Sequence, residues 1–201
     1  MGNISRSLMP EEYGDATHAQ LKSRRYSDKQ IEAQATALLR ELWQKRQRIW
    51  GWSPTDPTIV IDPAKALEQL GYDFFLEEEL ASYDSEQGHV EVAGVINADA
   101  RTVHASKRFP MSVLSFTTAH ELGHAVLHEM SGPMHRDRPL NGESVSRDAI
   151  EREADKFATF FLMPAKLVRG RFVELFGTEQ FTLNENSAFA LTSGSLIDAK
   201  K

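Results

Sequence analysis

Histidine recurs every fourth residue in "FTTAHELGHAVLHEM", residues 116–130, as His120, His124 and His128, and Glu121 follows the first of them. Each residue of an α-helix turns by about 100°, so His120 and His124 lie about 40° apart and one turn from each other. Two imidazoles so placed can meet a single ion. Leu122, Val126 and Ala119 lie across the helix from them, and Val113, Phe116 and Leu127 border them. A helix apolar on so many sides is a buried one. A lone carboxylate buried at Glu121 would be costly, and a divalent cation offsets that cost. The spacing is that of H-E-x-x-H, in which two histidines hold zinc and the glutamate acts as base.

A third ligand has to come from elsewhere. The chain has no cysteine, which excludes disulfides and thiolate ligands and leaves His, Asp and Glu. His128 stands about 12 Å along the axis from His120, too far to share the ion. It is expected near the mouth of the site or on the surface. In metzincins the third histidine comes six residues after the second, and that position is Met130. The better source is "EREAD", where Glu151 and Asp155 share a helix face. Like charges at that spacing repel if exposed. The pair makes sense if Glu151 binds the metal and Asp155 accepts an N–H from a ligand histidine. Ala154 and Ala158 keep that face shallow enough for the helices to approach. Glu153 turns about 200° from Glu151 and is expected in solvent.

The elements that must hold these groups follow from pattern. "SDKQIEAQATALLRELWQKRQRIW" predicts a helix with Ser27 and Gln30 as capping box and Ile31, Ala35, Leu38, Leu42 and Ile49 as apolar stripe. Asp62 and Pro63 open a short helix that Gly71 ends. "YDFFLE", "HVEVAGVI" and "TVHAS" predict strands, with "NADA" (97–100) as a hairpin turn. The histidine helix is expected from about Met111 to Glu129, and the "EREAD" helix to about Leu162. Another helix, "PAKLVRGRFVELFG", follows Pro164. Between the two ligand helices, residues 130–146 form a Gly-, Pro- and Ser-rich loop expected to be mobile and to border the substrate groove. The organisation expected is a flexible arm over 1–26, a domain over 27–176, and a C-terminal helix and tail over 177–201.

Composition bounds the partners. The chain has 201 residues and a formal net charge of −6, which argues against direct nucleic-acid binding. No apolar run is long enough to span a membrane, and the N-terminus lacks a signal-peptide core. A cytoplasmic location with no membrane partner is the default expectation.

The two helical motifs, "FTTAHELGHAVLH" and "EREADKFATFFLMP", together with "VAGVINADARTVHAS" ahead of them and "IDPAKALEQLGYDF", resemble the ImmA/IrrE family of metallopeptidases over about residues 60–170. The E-x-x-A-D pattern is also similar to gluzincins. The resemblance implies His120, His124 and Glu151 as zinc ligands, Glu121 as catalytic base and Asp155 behind a ligand histidine. It further implies a protein substrate, since members cleave helix-turn-helix transcriptional repressors to switch on stress or mobile-element genes. The helix near 27–50 is an addition to that pattern.

The fold expected is α+β and zincin-like: a small antiparallel sheet packed on the active-site helix, with the Glu151 helix beside it. Three protein ligands leave one position open, as catalytic zinc sites require. A second donor for the oxyanion is sought among His104, Tyr83, His135 and Arg136, and "RTVHAS" is a candidate for pairing with substrate as an added strand. The competing class is a metal-stabilised regulatory module that binds a repressor or a toxin partner without cutting it. Glu121 argues against it, because a structural zinc site needs no base.

Overall fold

The computed structural model describes residues 25–80, 82–85, 88–128, 135–136, 149–178, 180 and 184. The arm over 1–24, most of the 130–146 loop and nearly all of the tail beyond 178 lie outside the described residues.

Helix α1, Asp28–Gln44, begins where the sequence signals it: the backbone N–H of Ser27 donates to Gln30 Oε1 at 2.9 Å. Its stripe of Ile31, Ala35, Leu38, Leu39 and Leu42 is buried. A short α2, Arg46–Trp50, continues it after a break at Lys45 and ends on Gly51 in the left-handed conformation. Helix α3, Pro63–Gln69, is capped by Asp62, whose Oδ1 accepts from Lys65 N at 3.0 Å.

The strands β1 (Asp73–Glu77), β4 (Gly94–Asn97), β5 (Thr102–Ser106) and β6 (His135–Arg136) form one sheet in the order β1-β5-β4-β6. The β4–β5 hairpin turns over "NADA", where Asn97 Oδ1 accepts from Ala100 N at 2.9 Å. The fold is α+β as expected, but the sheet is mixed rather than antiparallel, because β1 runs parallel to β5. Between β1 and β5 the chain runs through two further strands and β4, so β5 is not the hairpin partner of β1 and returns beside it in the same direction, while β4 is its antiparallel hairpin partner. The run "HVEVAGVI" is two strands. Its first half lies in β3 (Gly88–Glu91), which pairs with β2 (Ser82–Ser85) in a separate ribbon, and its second half is β4.

Helix α4, Met111–Leu127, packs on one sheet face, against α3 on one side and α5, Ala149–Leu162, on another. Helix α1 lies along α5. Leu122 and Ala119 of α4, Phe157 and Phe161 of α5, Ile31 and Leu42 of α1, and Ile96 and Val103 of the sheet share one core. Helix α6, Ala165–Phe176, follows Pro164. Among the described residues no helix is long and apolar enough to cross a membrane.

Candidate metal centre

Gly123 and Ala154 set the distance between the two helices that matter. A Cβ added at Gly123 would stand 3.0 Å from the Ala154 carbonyl oxygen and 3.1 Å from its Cα. The backbones of α4 and α5 therefore approach closely here, as the shallow face at Ala154 suggested, and a side chain at 123 would need α5 to give by a few tenths of an ångström. Within one turn of this contact, the ionisable groups of both helices face each other.

His120 Nε2 and His124 Nε2 are 2.9 Å apart. Glu151 Oε2 lies 3.3 Å from the first, and Glu151 Oε1 lies 3.7 Å from the second. Ligand atoms on a tetrahedral zinc, each about 2.05 Å from the ion, are roughly 3.3 Å from one another. The observed separations bracket that value. These three residues are the group of described residues whose ligand atoms converge, all within 4.8 Å, and they could hold a metal ion.

Tautomers sharpen the fit. His120 Nδ1 is 2.9 Å from Asp155 Oδ1. A carboxylate only accepts, so that nitrogen carries a proton, and in the neutral ring Nε2 then presents its lone pair. His124 Nδ1 is 3.1 Å from His128 Nδ1, and His128 Nε2 is 3.1 Å from Glu153 Oε2. The same rule puts a proton on His128 Nε2, and with neutral rings His128 Nδ1 is an acceptor and the proton between the two rings belongs to His124 Nδ1. His124 Nε2 then also presents a lone pair. Two lone pairs and a carboxylate facing one point form a donor set suited to a cation.

Glu121 is fully buried beside this group. It lies over β4: a Cβ on Gly94 would be 3.2 Å from Glu121 Oε1 and 2.4 Å from Thr117 Cγ2. Glycine at 94 is what allows the strand to pass this close under the carboxylate. Thr118, buried on the same helix, satisfies its hydroxyl on Leu114 O at 2.8 Å.

The remaining expected positions divide. His104 does not face the site. Val103 and Ala105 are buried toward the helices, and alternation turns His104 to the opposite face of β5. There it stacks on Phe75, ring centroids 4.9 Å apart, with Nδ1 3.2 Å from Glu77 Oε1. Strand β5 cannot add a substrate strand either, since β1 and β4 occupy both its edges. Tyr83 belongs to β2, and His135 and Arg136 to β6, which pairs with Ile96 and Val95; the side chains of all three fall outside the described part.

Glu153, expected in solvent, and His128, expected near the mouth of the site or on the surface, both have buried side chains. Glu153 is 7 % exposed, and its Oε1 accepts from Tyr26 N at 2.9 Å. The His128 side chain is 4 % exposed. The angle of Glu153 around α5 is as the sequence indicates, but α1 and the end of α4 cover that flank. The spacing His124-x-x-x-His128 was the available signal: it makes the rings neighbours on the helix even though His128 cannot reach the ion.

The sequence profile of the IrrE N-terminal-like domain, Peptidase_M78, matches residues 82–185. No curated protein matches the chain. The matched span contains β4, β5 and both ligand-bearing helices.

Proposed function

We propose that this chain, which belongs to the IrrE N-terminal-like (ImmA/IrrE) peptidase family, is a zinc-dependent endopeptidase acting on a transcriptional repressor. Family membership supports a metallopeptidase-type function and a protein substrate. The observation that carries the metal reading is the convergence of His120, His124 and Glu151. The zinc reading rests on the two histidines standing one helix turn apart with Glu121 between them, the H-E-x-x-H arrangement, completed by one carboxylate.

A bound zinc ion would supply Lewis acidity, lowering the pKa of a water toward ~7 and polarising a peptide carbonyl. The chain's own groups do the rest. Asp155 holds the His120 imidazole in the tautomer that leaves Nε2 free to bind. Glu121 takes a proton from the attacking water and returns it to the leaving nitrogen. Its burial against β4 restricts its rotamers and keeps bulk water from competing for that proton. The choice of a helix-turn-helix repressor as substrate, in a stress or mobile-element response, rests on the resemblance of the two helical motifs to ImmA/IrrE members.

The test is Glu121→Gln, which keeps the shape and removes the base. The variant should bind zinc nearly as wild type does, yet lose cleavage by a factor of about 10²–10⁴ or more. It is compared with wild type and His124→Ala in a reporter driven by a candidate helix-turn-helix repressor. Derepression lost in both variants, with zinc retained only in Glu121→Gln, is the expected result. Derepression that survives in Glu121→Gln but not in His124→Ala would replace the peptidase by a metal-stabilised binding module.

A further inference from the structure

The two ligand histidines are held in different ways. His120 Nδ1 meets a carboxylate directly, at 2.9 Å from Asp155 Oδ1. His124 Nδ1 meets another histidine, and only that histidine meets a carboxylate. His128 directly follows the last residue of α4, Leu127, in an extended conformation, φ −116° and ψ 134°. Its backbone N–H donates to His124 O at 3.1 Å, and its ring lies 5.2 Å from the His124 ring, tilted by 50°. Both ends of the residue are thus tied to His124. Glu153 uses both oxygens: Oε2 toward His128 Nε2 and Oε1 for the backbone N–H of Tyr26, just ahead of α1.

We propose that His128 and Glu153 are positioning residues for the metal ligand His124, forming a two-residue relay that fixes its tautomer and ring orientation and fastens it to the entry of α1. The inference rests on the metal reading above and deepens it. With neutral rings, the separations allow one direction along the whole relay that leaves His124 Nε2 for a metal. Glu153 accepts from His128 Nε2–H, His128 Nδ1 accepts from His124 Nδ1–H, and His124 Nε2 is left with its lone pair toward Glu151 and His120. Reversing any one bond would protonate His124 Nε2 and remove it as a ligand. The relay is dry: the side chains of His128 and Glu153 are 4 % and 9 % exposed, so water does not substitute readily for either partner. A plain staple between helices would need the Glu153 contacts to Tyr26 and α1, but not a histidine whose second nitrogen is aimed at a ligand.

The relay also gives the helix near 27–50 a role at the site. Tyr26 N holds Glu153 from one side while α1 packs along α5. Glu153 then has two donors converging on it from separate parts of the fold, which leaves its carboxylate little freedom to turn away from His128.

Four proteins test this: wild type, His128→Leu, His128→Asn and Glu153→Gln. Each is prepared free of metal, its folding is checked by circular dichroism, and its zinc affinity is measured by competition with a chelator. Leucine fills the space without an acceptor. Asparagine carries an amide oxygen near the place of Nδ1 and can accept the His124 proton. His128→Leu should weaken zinc binding by about 10–100-fold, the usual loss when the partner of a ligand is removed, and His128→Asn should recover most of it. Glu153→Gln, which still accepts but lacks the charge, should fall between wild type and His128→Leu. A staple with no bearing on the ligand would lower the melting temperature of the metal-free protein and leave zinc affinity unchanged. A folded His128→Leu protein that binds zinc as tightly as wild type overturns the proposal, and so does an asparagine variant no better than the leucine one. Should His128→Leu not fold, Glu153→Gln decides, and wild-type affinity in that variant overturns the proposal. Wild-type protein that takes up no zinc overturns the metal reading and the relay together.

Discussion

The two flanks of α5 carry the same kind of side chain and put it to different use. On one flank, Glu151 and Asp155 meet the His120–His124 face of α4 directly. On the other, Glu153 meets His128 and the backbone at the entry of α1. Between them runs the apolar stripe of Ala154, Phe157, Ala158 and Phe161, all fully buried. Helical periodicity determines which flank a carboxylate occupies. It says nothing of what covers that flank, and here the extra N-terminal helix turns a face that would be solvated into part of the interior.

The comparison breaks first at the ligand flank. His124→Ala or Glu151→Gln should abolish stoichiometric zinc, while Glu153→Gln should only weaken it. Metal-linked stabilisation should vanish with the ligands: at a thousandfold excess of zinc over its Kd, binding contributes about 4 kcal/mol to wild-type stability. A melting temperature of His124→Ala that still rises on adding zinc would contradict the assignment. Next in size is Asp155→Ala, which should cost about 10–100-fold in zinc affinity. Its loss set beside that of His128→Leu measures whether a direct carboxylate and a relayed one do the same work; a loss at Asp155 below twofold would say that the first flank does not act as described.

Gly123→Ala tests the stripe between the flanks. The new methyl would meet Ala154 backbone at 3.0–3.1 Å, so the helices must separate. Overpacking of this kind costs about 1–3 kcal/mol, read by thermal denaturation of the metal-free protein, and zinc affinity should fall with it because the ligands sit on both helices. The smallest effect belongs to the outer rim. Lys156 pairs with Asp28 between α5 and α1, but both side chains are about half exposed or more, 47 % and 64 %. Lys156→Ala should change stability by no more than ~1 kcal/mol and leave zinc affinity as it is.

Much of the site was legible in the chain because its chemistry is local. His120, Glu121 and His124 lie on one helix turn, and Glu151 and Asp155 on another, so periodicity alone puts each set on one face. The Asn97–Ala100 turn and the Asp62 cap are local for the same reason. What was not legible depends on pairing between distant segments. The division of "HVEVAGVI" arises because its halves find different partners, Tyr83 and its neighbours for β3 and the hairpin partner β5 for β4. His104 faces away from the site because α4 packs on the other face of β5, which alternation cannot reveal without knowing which face is covered. The burial of Glu153 was hidden for a similar reason: one of the groups that meets it, Tyr26, is 127 residues away in sequence.

The measurement closest to the central claim is anomalous diffraction at the zinc edge from crystals of the zinc-loaded wild-type protein. The account predicts one strong peak per chain, about 2.0–2.2 Å from His120 Nε2, His124 Nε2 and a Glu151 oxygen, with Asp155 and His128 hydrogen-bonded to the far nitrogens of the two rings. A peak held by other residues, or none between α4 and α5, would contradict it.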